Sequence, residues 1–332
     1  MPCAEPRAGG PEGRGMMEQK HICVLYGGRS LERDISLVTG HRVARGLTEL
    51  GYQVTAVDVD ESLVKRLTDL KPDAAFIALH GKGGEDGTVQ ELLEILNIPY
   101  TGSRVLASIK AVDKVLTKHV LEAGGIPTPA FFAFSDAAFR EMGAKDALPL
   151  IVEKLGLPVV VKPAAMGSAL GIHFAADLRE IPRAMLSALS FDRKVLLEKY
   201  VRGRELAVTV MDSFEGRALP IVEATPRADH AYYDFDSRYV LGETEFTVPA
   251  DLQQPVADQV REVALATYDA LGCTGYGRVD IILDEGGVPW VLEVNTIPGM
   301  TESSLMPLAA EAAGISFGEL LEMMVATAVT GA

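Results

Sequence analysis

The sequence predicts an α/β protein with a parallel sheet in its first lobe and antiparallel strand pairs in its later lobes. Three observations predict it. Apolar runs at 21–26, 52–59 and 73–79 alternate with helix-patterned stretches at about 31–50 and 61–70, the order of a parallel sheet with helices on its faces. The runs 204–211 and 218–223 read as neighbouring antiparallel strands. The segment 276–295 reads as a strand pair around the turn Asp284-Glu285-Gly286-Gly287.

The elements follow in order. HICVLY (21–26) is a buried strand closed by Gly27-Gly28, and a helix runs from about Leu31 to Leu50. YQVTAVDV (52–59) alternates as a strand, and DAAFIAL (73–79) is a short apolar strand that stops at His80. Ligands of such sheets sit beyond the carboxyl ends of the strands, where Gly27-Gly28 and His80 fall. After Thr101-Gly102 the pattern changes: 103–123 reads as one helix, and 147–165 holds the strand LPVVVKP and a glycine-containing loop. Residues 177–190 are helical, KVLLEKY (194–200) is a strand, and 255–271 is helical. The stretch 225–247 is polar, aromatic and without periodicity, and so long a loop reads as functional.

Composition bounds the function. A chain of 332 residues suggests about two domains, and 48% hydrophobic residues exclude disorder as the main state. A net charge of −15 argues against nucleic acid or an anionic membrane as the partner, while leaving room for a small anion held by a local lysine. No segment approaches the ~20 apolar residues of a membrane span. Residues 1–19, rich in Gly, Pro, Arg and Glu, read as a disordered leader without a secretory core. The cysteines Cys3, Cys23 and Cys273 lack CxxC spacing, which suits reduced thiols in a cytoplasm; Cys23 and Cys273 read as small apolar residues.

The strongest local chemistry lies in GRVDIILDEGGVPWVLEVNT (277–296). With Asp284-Glu285-Gly286-Gly287 as the loop, Arg278 faces Glu293 and Asp280 faces Val291. Arg278, Asp280, Glu293 and Asn295 then share one face, and Val279, Ile281, Leu283, Leu292 and Val294 share the core face. Asp280 and Glu293 fall on a diagonal of roughly 7–8 Å. Two carboxylates and an amide oxygen suit Mg²⁺. The plainer alternative is a salt-bridge ladder between Arg278 and Glu293.

Lys162 ends a strand in VVVKPAAMGSALGI, before a loop whose small residues Gly167, Ser168 and Gly171 let backbone N–H groups approach phosphate. This is not a Walker A loop, and a solvated lysine at an ordinary turn is the alternative. Lys114, in AVDKVLT, reads by itself as a solvated helix charge. Glu198, ending LLEKY, reads as a ribose acceptor or an edge-strand carboxylate. Glu32, just after Ser30, reads as an acid favouring the helix dipole. His80 opens the loop HGKGGEDG.

Together the segments LYGGRSLERDISL, ALHGKGGEDGTVQELLEILNIPYTGS, SIKAVDKVLTK, PVVVKPAAMGSALGI, LLEKYVRGRELAV, YYDFDSRY, GYGRVDIILD and LEVNTIPGMTESSLMP resemble the D-alanine–D-alanine ligase family of the ATP-grasp superfamily, in the family's order and over about residues 20–325. The resemblance implies an ATP-grasp fold with a Rossmann-like amino-terminal lobe (20–102), a central lobe (103–197) and a carboxyl-terminal lobe (198–332) that carries the metal site and a closing loop at 225–247. It implies ATP as co-substrate, two Mg²⁺ ions replaceable by Mn²⁺, D-alanine as substrate, a homodimer, a cytoplasmic location and a role in peptidoglycan precursor synthesis. No nucleic-acid or membrane partner is implied.

Residue by residue, the resemblance implies Lys114 and Lys162 on ATP phosphates. Glu198, Tyr200, Val201 and Glu205 match the adenine and ribose contacts, and Asp280, Glu293 and Asn295 the metal ligands. Glu32 matches the residue that holds the first D-alanine's ammonium, with Ser168 and Tyr239 as its hydrogen-bonding partners. His80 matches a residue near that substrate's carboxylate. Arg278 and the backbone of Gly299 match the oxyanion stabilisers, and Ser304 and Leu305 the contacts to the second D-alanine. The implied reaction passes through an acyl phosphate.

The sequence departs from the family pattern at Ala165 and Ala169 in the loop after Lys162, and at Arg238, where a lysine usually precedes the tyrosine. Tyr239 favours an amine as second nucleophile, with D-serine or D-lactate ligation as the alternative. A dinucleotide-binding oxidoreductase is the rival class, since Gly27-Gly28, Asp58 and Asp60 loosely imitate that fold, although GxGxxG is missing. A relative that binds without catalysing is a third reading.

Overall fold

The computed structural model describes residues 20–167, 169–226 and 244–329. The first lobe runs β1 (His21–Tyr26), α1 (Arg33–Glu49), β2 (Gln53–Asp58), α2 (Leu63–Leu70), β3 (Ala74–Ile77) and α3 (Thr88–Ile95). β1 lies between β2 and β3, parallel to both, as the alternating pattern predicts. Covered on both faces, β1 has no polar side: Ile22, Cys23, Val24 and Leu25 are all fully buried. The Ser36 hydroxyl accepts from Gly27 N and donates to the Ala78 carbonyl, which ties α1 to the carboxyl ends of two strands.

The stretch expected as one helix is two, α4 (Val105–Val112) and α5 (Lys114–Ala123). Asp113 is the reason. Its backbone is extended (ψ 99°), and its carboxylate accepts from the N–H groups of Val115 and Leu116, the interaction that makes aspartate better at a helix start than inside one. Lys114 therefore begins a helix rather than riding in the middle of one.

β4 (Phe131–Ser135), α6 (Asp136–Glu141), α7 (Leu148–Leu155), β5 (Val159–Pro163), β6 (His173–Ala175), α8 (Ile181–Ala188) and β7 (Lys194–Lys199) follow. Their sheet has the order β4-β7-β5-β6 and is antiparallel. Val159, Val161, Val195 and Leu197 pack under Leu148, Ile151, Ile181 and Met185 of α7 and α8. Strand alternation turns Val160, Lys162, Leu196 and Glu198 to the other face.

The last lobe runs β8 (Gly203–Met211), β9 (Val222–Pro226), β10 (Thr244–Thr247), α9 (Gln254–Leu271), β11 (Tyr276–Asp284), β12 (Pro289–Asn295), α10 (Leu305–Ala312) and α11 (Phe317–Val329). Its sheet has the order β10-β9-β8-β11-β12, with every pairing antiparallel. The stretch 225–247 is not loop throughout: Thr225 and Pro226 pair with Glu245 and Thr244, while residues 227–243 lie outside the described residues. α9 covers one sheet face through Val260, Ala264 and Tyr268. α11 returns to the first lobe, where Leu320, Leu321 and Met324 share a core with Ile22, Val24 and Phe76.

The β11–β12 register differs from the expected one. Asp284 is strand, not loop: its N–H donates to the Val288 carbonyl, and its carboxylate accepts from Val288 N and Trp290 Nε1. That shortens the loop to 285–287. Farther along, the register shifts at Asp280/Ile281, so that Ile281 pairs with Val291 but Asp280 pairs with Glu293. Leu292 is the bulged extra residue. Val291 consequently takes the core position expected for Leu292, and Leu292 turns to the cleft.

Candidate active site

A cleft runs between the exposed faces of the central and carboxyl-terminal sheets and ends at the loops of the first lobe. It has two chambers that share a wall of Glu205, Ala224, Ile282 and Leu292. The first contains Lys162, Glu198, Tyr200 and Val201 among apolar Val160, Ile172 and Phe174. The second contains Glu32, His80, Lys114, Arg278, Asp280, Glu293, Asn295, Gly299, Ser304 and Leu305. Every sequence-selected site residue that is described lines one of the two; Ser168, Arg238 and Tyr239 lie outside the described residues.

Direct opposition of Asp280 and Glu293 places their backbones about 4.5–5.5 Å apart rather than on the expected diagonal. Arg278 pairs with Asn295 across the ladder, not with Glu293 as expected. Its side chain holds Asp280 by two parallel contacts, Nε to Oδ1 at 2.6 Å and a terminal nitrogen to Oδ2 at 2.8 Å. Glu293 pairs with Lys114 at 2.9 Å. The Asn295 side-chain oxygen accepts from Ile297 N, which keeps a second lone pair for another partner. These oxygen donors fit a hard divalent cation. Among the described residues no three His, Cys, Asp or Glu side chains cluster as a metal cage, so such an ion would complete its shell with water and substrate oxygens.

Lys114 is not solvated. It is 5% exposed, its ammonium donates to the Met166 carbonyl at 2.7 Å, and its backbone N–H donates to Ala164. The start of α5 thereby grips the loop that follows β5. Nor is Lys162 solvated, because its ammonium meets Glu198 at 2.5 Å. Glu198 is not an edge carboxylate, since β7 is interior to its sheet and Val160↔Glu198 pairing puts it one diagonal step from Lys162.

A second lysine reaches the same carboxylate. Lys118, fully buried, lies 2.6 Å from Glu198. Burial opposes ionisation of Glu198, but the two ammoniums outweigh it and hold the carboxyl below its usual range. Burial draws Lys118 down to about 8 against the pull of Glu198, so it is charged at neutral pH. The sequence reading passed over Lys118. Its signal was spacing, because four residues from Lys114 on a helix is the same face one turn on.

Glu32 sits at the N-cap of α1 but caps nothing with its side chain; Asp34 is the acid of the first turn. Two glycines make room for its carboxylate. Gly81 has φ +67°, and a Cβ there would collide with Glu32 Oε2. At Gly167 a Cβ would stand 3.0 Å from the same oxygen. His80 is buried with Nε2 3.1 Å from the Thr39 hydroxyl and Nδ1 3.6 Å from Glu85, a cleft carboxylate of the HGKGGEDG loop that the sequence reading did not single out. Gly299 approaches Ser304 closely, with room of only 2.9 Å between a Cβ and the hydroxyl, and that hydroxyl accepts from Thr301 N.

The geometry gives the oxidoreductase reading no added support: Asp58 is held by Arg33 and Gly28 N, and one oxygen of Asp60 accepts from Ser62.

Comparison with known proteins identifies the family. The family model described as D-ala D-ala ligase C-terminus matches residues 120–326, and the one described as D-ala D-ala ligase N-terminus matches residues 64–103. The chain is 43% identical to a D-alanine–D-alanine ligase of a Marinomonas species over 92% of this chain and 95% of that one. It is 44% identical to one from Syntrophotalea carbinolica over 95% and 98%. Among solved structures, the D-alanine–D-alanine ligase of Bacillus anthracis complexed with ATP is similar at a TM-score of 0.79 and 35% identity, covering 94% of this chain and 98% of that one. The Coxiella burnetii ligase is similar at 0.79 and 26%, covering 95% of each. By these matches the chain belongs to the D-alanine–D-alanine ligase family.

Proposed function

We propose that this chain joins two D-alanine molecules into D-alanyl-D-alanine for peptidoglycan precursor synthesis. ATP is converted to ADP and phosphate, by way of a D-alanyl phosphate. The observation that carries the reading is the two-chamber cleft. An apolar chamber closed by Lys162 and Glu198 suits a nucleotide base and its sugar. The adjoining chamber brings Lys114, Asp280 and Glu293 next to Glu32 and Arg278.

Lys114 and Lys162 would hold phosphate oxygens, with Glu198, Tyr200, Val201 and Glu205 around the nucleoside. Asp280, Glu293 and Asn295 are the residues that would hold Mg²⁺. The metal, when bound, offsets charge on the phosphoryl oxygens. Glu32 supplies the negative charge that fixes the first D-alanine's ammonium, and His80 borders its carboxylate. That carboxylate takes the phosphoryl group, and the neutral amine of the second D-alanine, against Ser304 and Leu305, displaces phosphate from the acyl carbon. Arg278 and Gly299 N–H stabilise the intervening oxyanion, an effect worth about 3–4 kcal/mol per donor removed in related chemistry. Ser168 and Tyr239 are proposed partners of Glu32, and the stretch containing Arg238 is proposed to exclude water from the acyl phosphate.

No helix among the described residues is long and apolar enough to cross a membrane. A homodimer working in the cytoplasm is the accompanying proposal. The test is ADP release with Mg²⁺-ATP and each of D-alanine, D-serine, D-lactate and L-alanine, with products identified by mass. D-alanine-dependent ADP and the dipeptide support the reading. A folded, ATP-binding protein that releases no ADP with D-alanine overturns it.

A further inference from the structure

The floor of the nucleotide chamber holds three buried charges whose sum is not zero. Glu198 is 2% exposed, and its carboxylate lies between Lys162 at 2.5 Å and Lys118 at 2.6 Å. One carboxylate offsets one ammonium, so one positive charge is left over. The surroundings decide which lysine carries it.

Lys118 is fully committed. Its ammonium donates to the Thr128 hydroxyl at 2.7 Å and the Pro129 carbonyl at 2.9 Å, and forms its ion pair with Glu198 Oε1. The segment it grips is itself pinned to the last lobe, because Thr128 Oγ1 donates to the Val291 carbonyl and Val291 N donates to the Pro127 carbonyl. Lys118 has nowhere else to go. Lys162 lines the open chamber, and among the described residues its ion-pair partner is Glu198 alone.

We infer that Lys118 is a positioning residue that stays with Glu198 and so frees Lys162 to leave that carboxylate for the phosphates of the nucleotide. A buried carboxylate with a single cation would hold it, since removing one partner of a buried pair strands an uncompensated charge. With Lys118 in place, the departure of Lys162 leaves a balanced pair behind. This rests on the reading that Lys162 binds phosphate.

The experiment measures equilibrium binding of adenosine and of ATP to the full chain and compares the ratio Kd(adenosine)/Kd(ATP), which isolates the phosphate contribution. Lys118→Met is expected to lower that ratio by about tenfold or more, with Lys162 trapped on Glu198, and to change the adenosine Kd much less. Lys118→Arg, which keeps the charge, should restore it. The double variant Lys118→Met/Glu198→Gln removes both members of the pair, so no carboxylate is left to trap Lys162, whose ammonium faces the open chamber, and it avoids the uncompensated carboxylate of the single variant. Its ratio should return to within about threefold of wild type.

A double variant whose ratio remains as low as that of Lys162→Met overturns the inference. So does a folded Lys118→Met with a wild-type ratio while Lys162→Met has a reduced one. If Lys162→Met itself leaves the ratio unchanged, the phosphate reading of Lys162 is what fails.

Discussion

Asp280 and Glu293 face each other directly across the β11–β12 ladder, and Leu292 is pushed out of that ladder toward the cleft. The bulge does two things at once. It brings the carboxylates into one rung, the pair that would hold a cation, and it lends the adjoining chamber an apolar wall. Each carboxylate has a side-chain cation beside it, Arg278 for Asp280 and Lys114 for Glu293.

Asp280→Asn or Glu293→Gln should lower turnover by about 10²-fold or more while the fold is kept, because metal charge stabilisation is worth several kcal/mol. ADP release against Mg²⁺ concentration measures this. A wild-type rate at ordinary Mg²⁺ in either variant removes the hairpin from the metal site.

Gly167→Ala should act on the first D-alanine rather than on ATP. The new methyl would stand 3.0 and 3.2 Å from the two carboxylate oxygens of Glu32. The loop or the carboxylate must shift by a few tenths of an ångström, and misplacement on the scale of 1 Å can cost about 10²-fold. The expected result is a raised KM for D-alanine with little change in KM for ATP and in Tm. Equal effects on both substrates would place the damage in the loop's phosphate contacts instead.

Arg42 ties α1 to the loop that presents Gly299: it donates to the Met300 carbonyl at 2.6 Å and lies 3.9 Å over the Phe317 ring. Arg42→Met should cost about 1–2 kcal/mol of stability and lower kcat more than it raises either KM. Thermal unfolding and steady-state kinetics check the two parts separately.

The pH dependence of ATP binding should report Lys118, whose proton is lost as pH rises through about 8 because burial disfavours its charge. The unfolded lysine keeps its proton to 10.5, so between about 8 and 10.5 the unfolded state binds more protons. This group's contribution to stability therefore rises with pH over that window, while the Glu198 pair in the chamber is lost. ATP affinity should fall from about pH 8 upward with no matching drop in Tm from this source. Lys118→Arg should move the fall to higher pH, and a flat affinity to about pH 10 would contradict the assignment.

Cys23 and Cys273 should resist thiol reagents in the native protein, since burial raises their thiols to about 12 and about 11. Rapid labelling of either without denaturant would contradict their place in the core.

Much of this molecule is legible in its residues. Short apolar runs separated by helical periodicity specify the parallel sheet, because β1 can be apolar all round only if both faces are covered. Alternation along β11 and β12 puts Arg278, Asp280, Glu293 and Asn295 on one side whichever of the nearby registers forms, and the ordered motifs identify the family. What the sequence could not decide depends on partners distant along the chain. Local pattern cannot distinguish Leu292 from Val291 as the core residue, since a bulge is set by how the strand packs under α9 and against β11. Lys114 reads as a solvated charge on a helix, and Lys118 carries no signal of its own, until the fold brings Glu293 and Glu198 to them. A single lysine is recognisable in sequence; the buried carboxylate that fixes its role exists only once two sheets close over it, and the low dielectric between them makes the pairing matter.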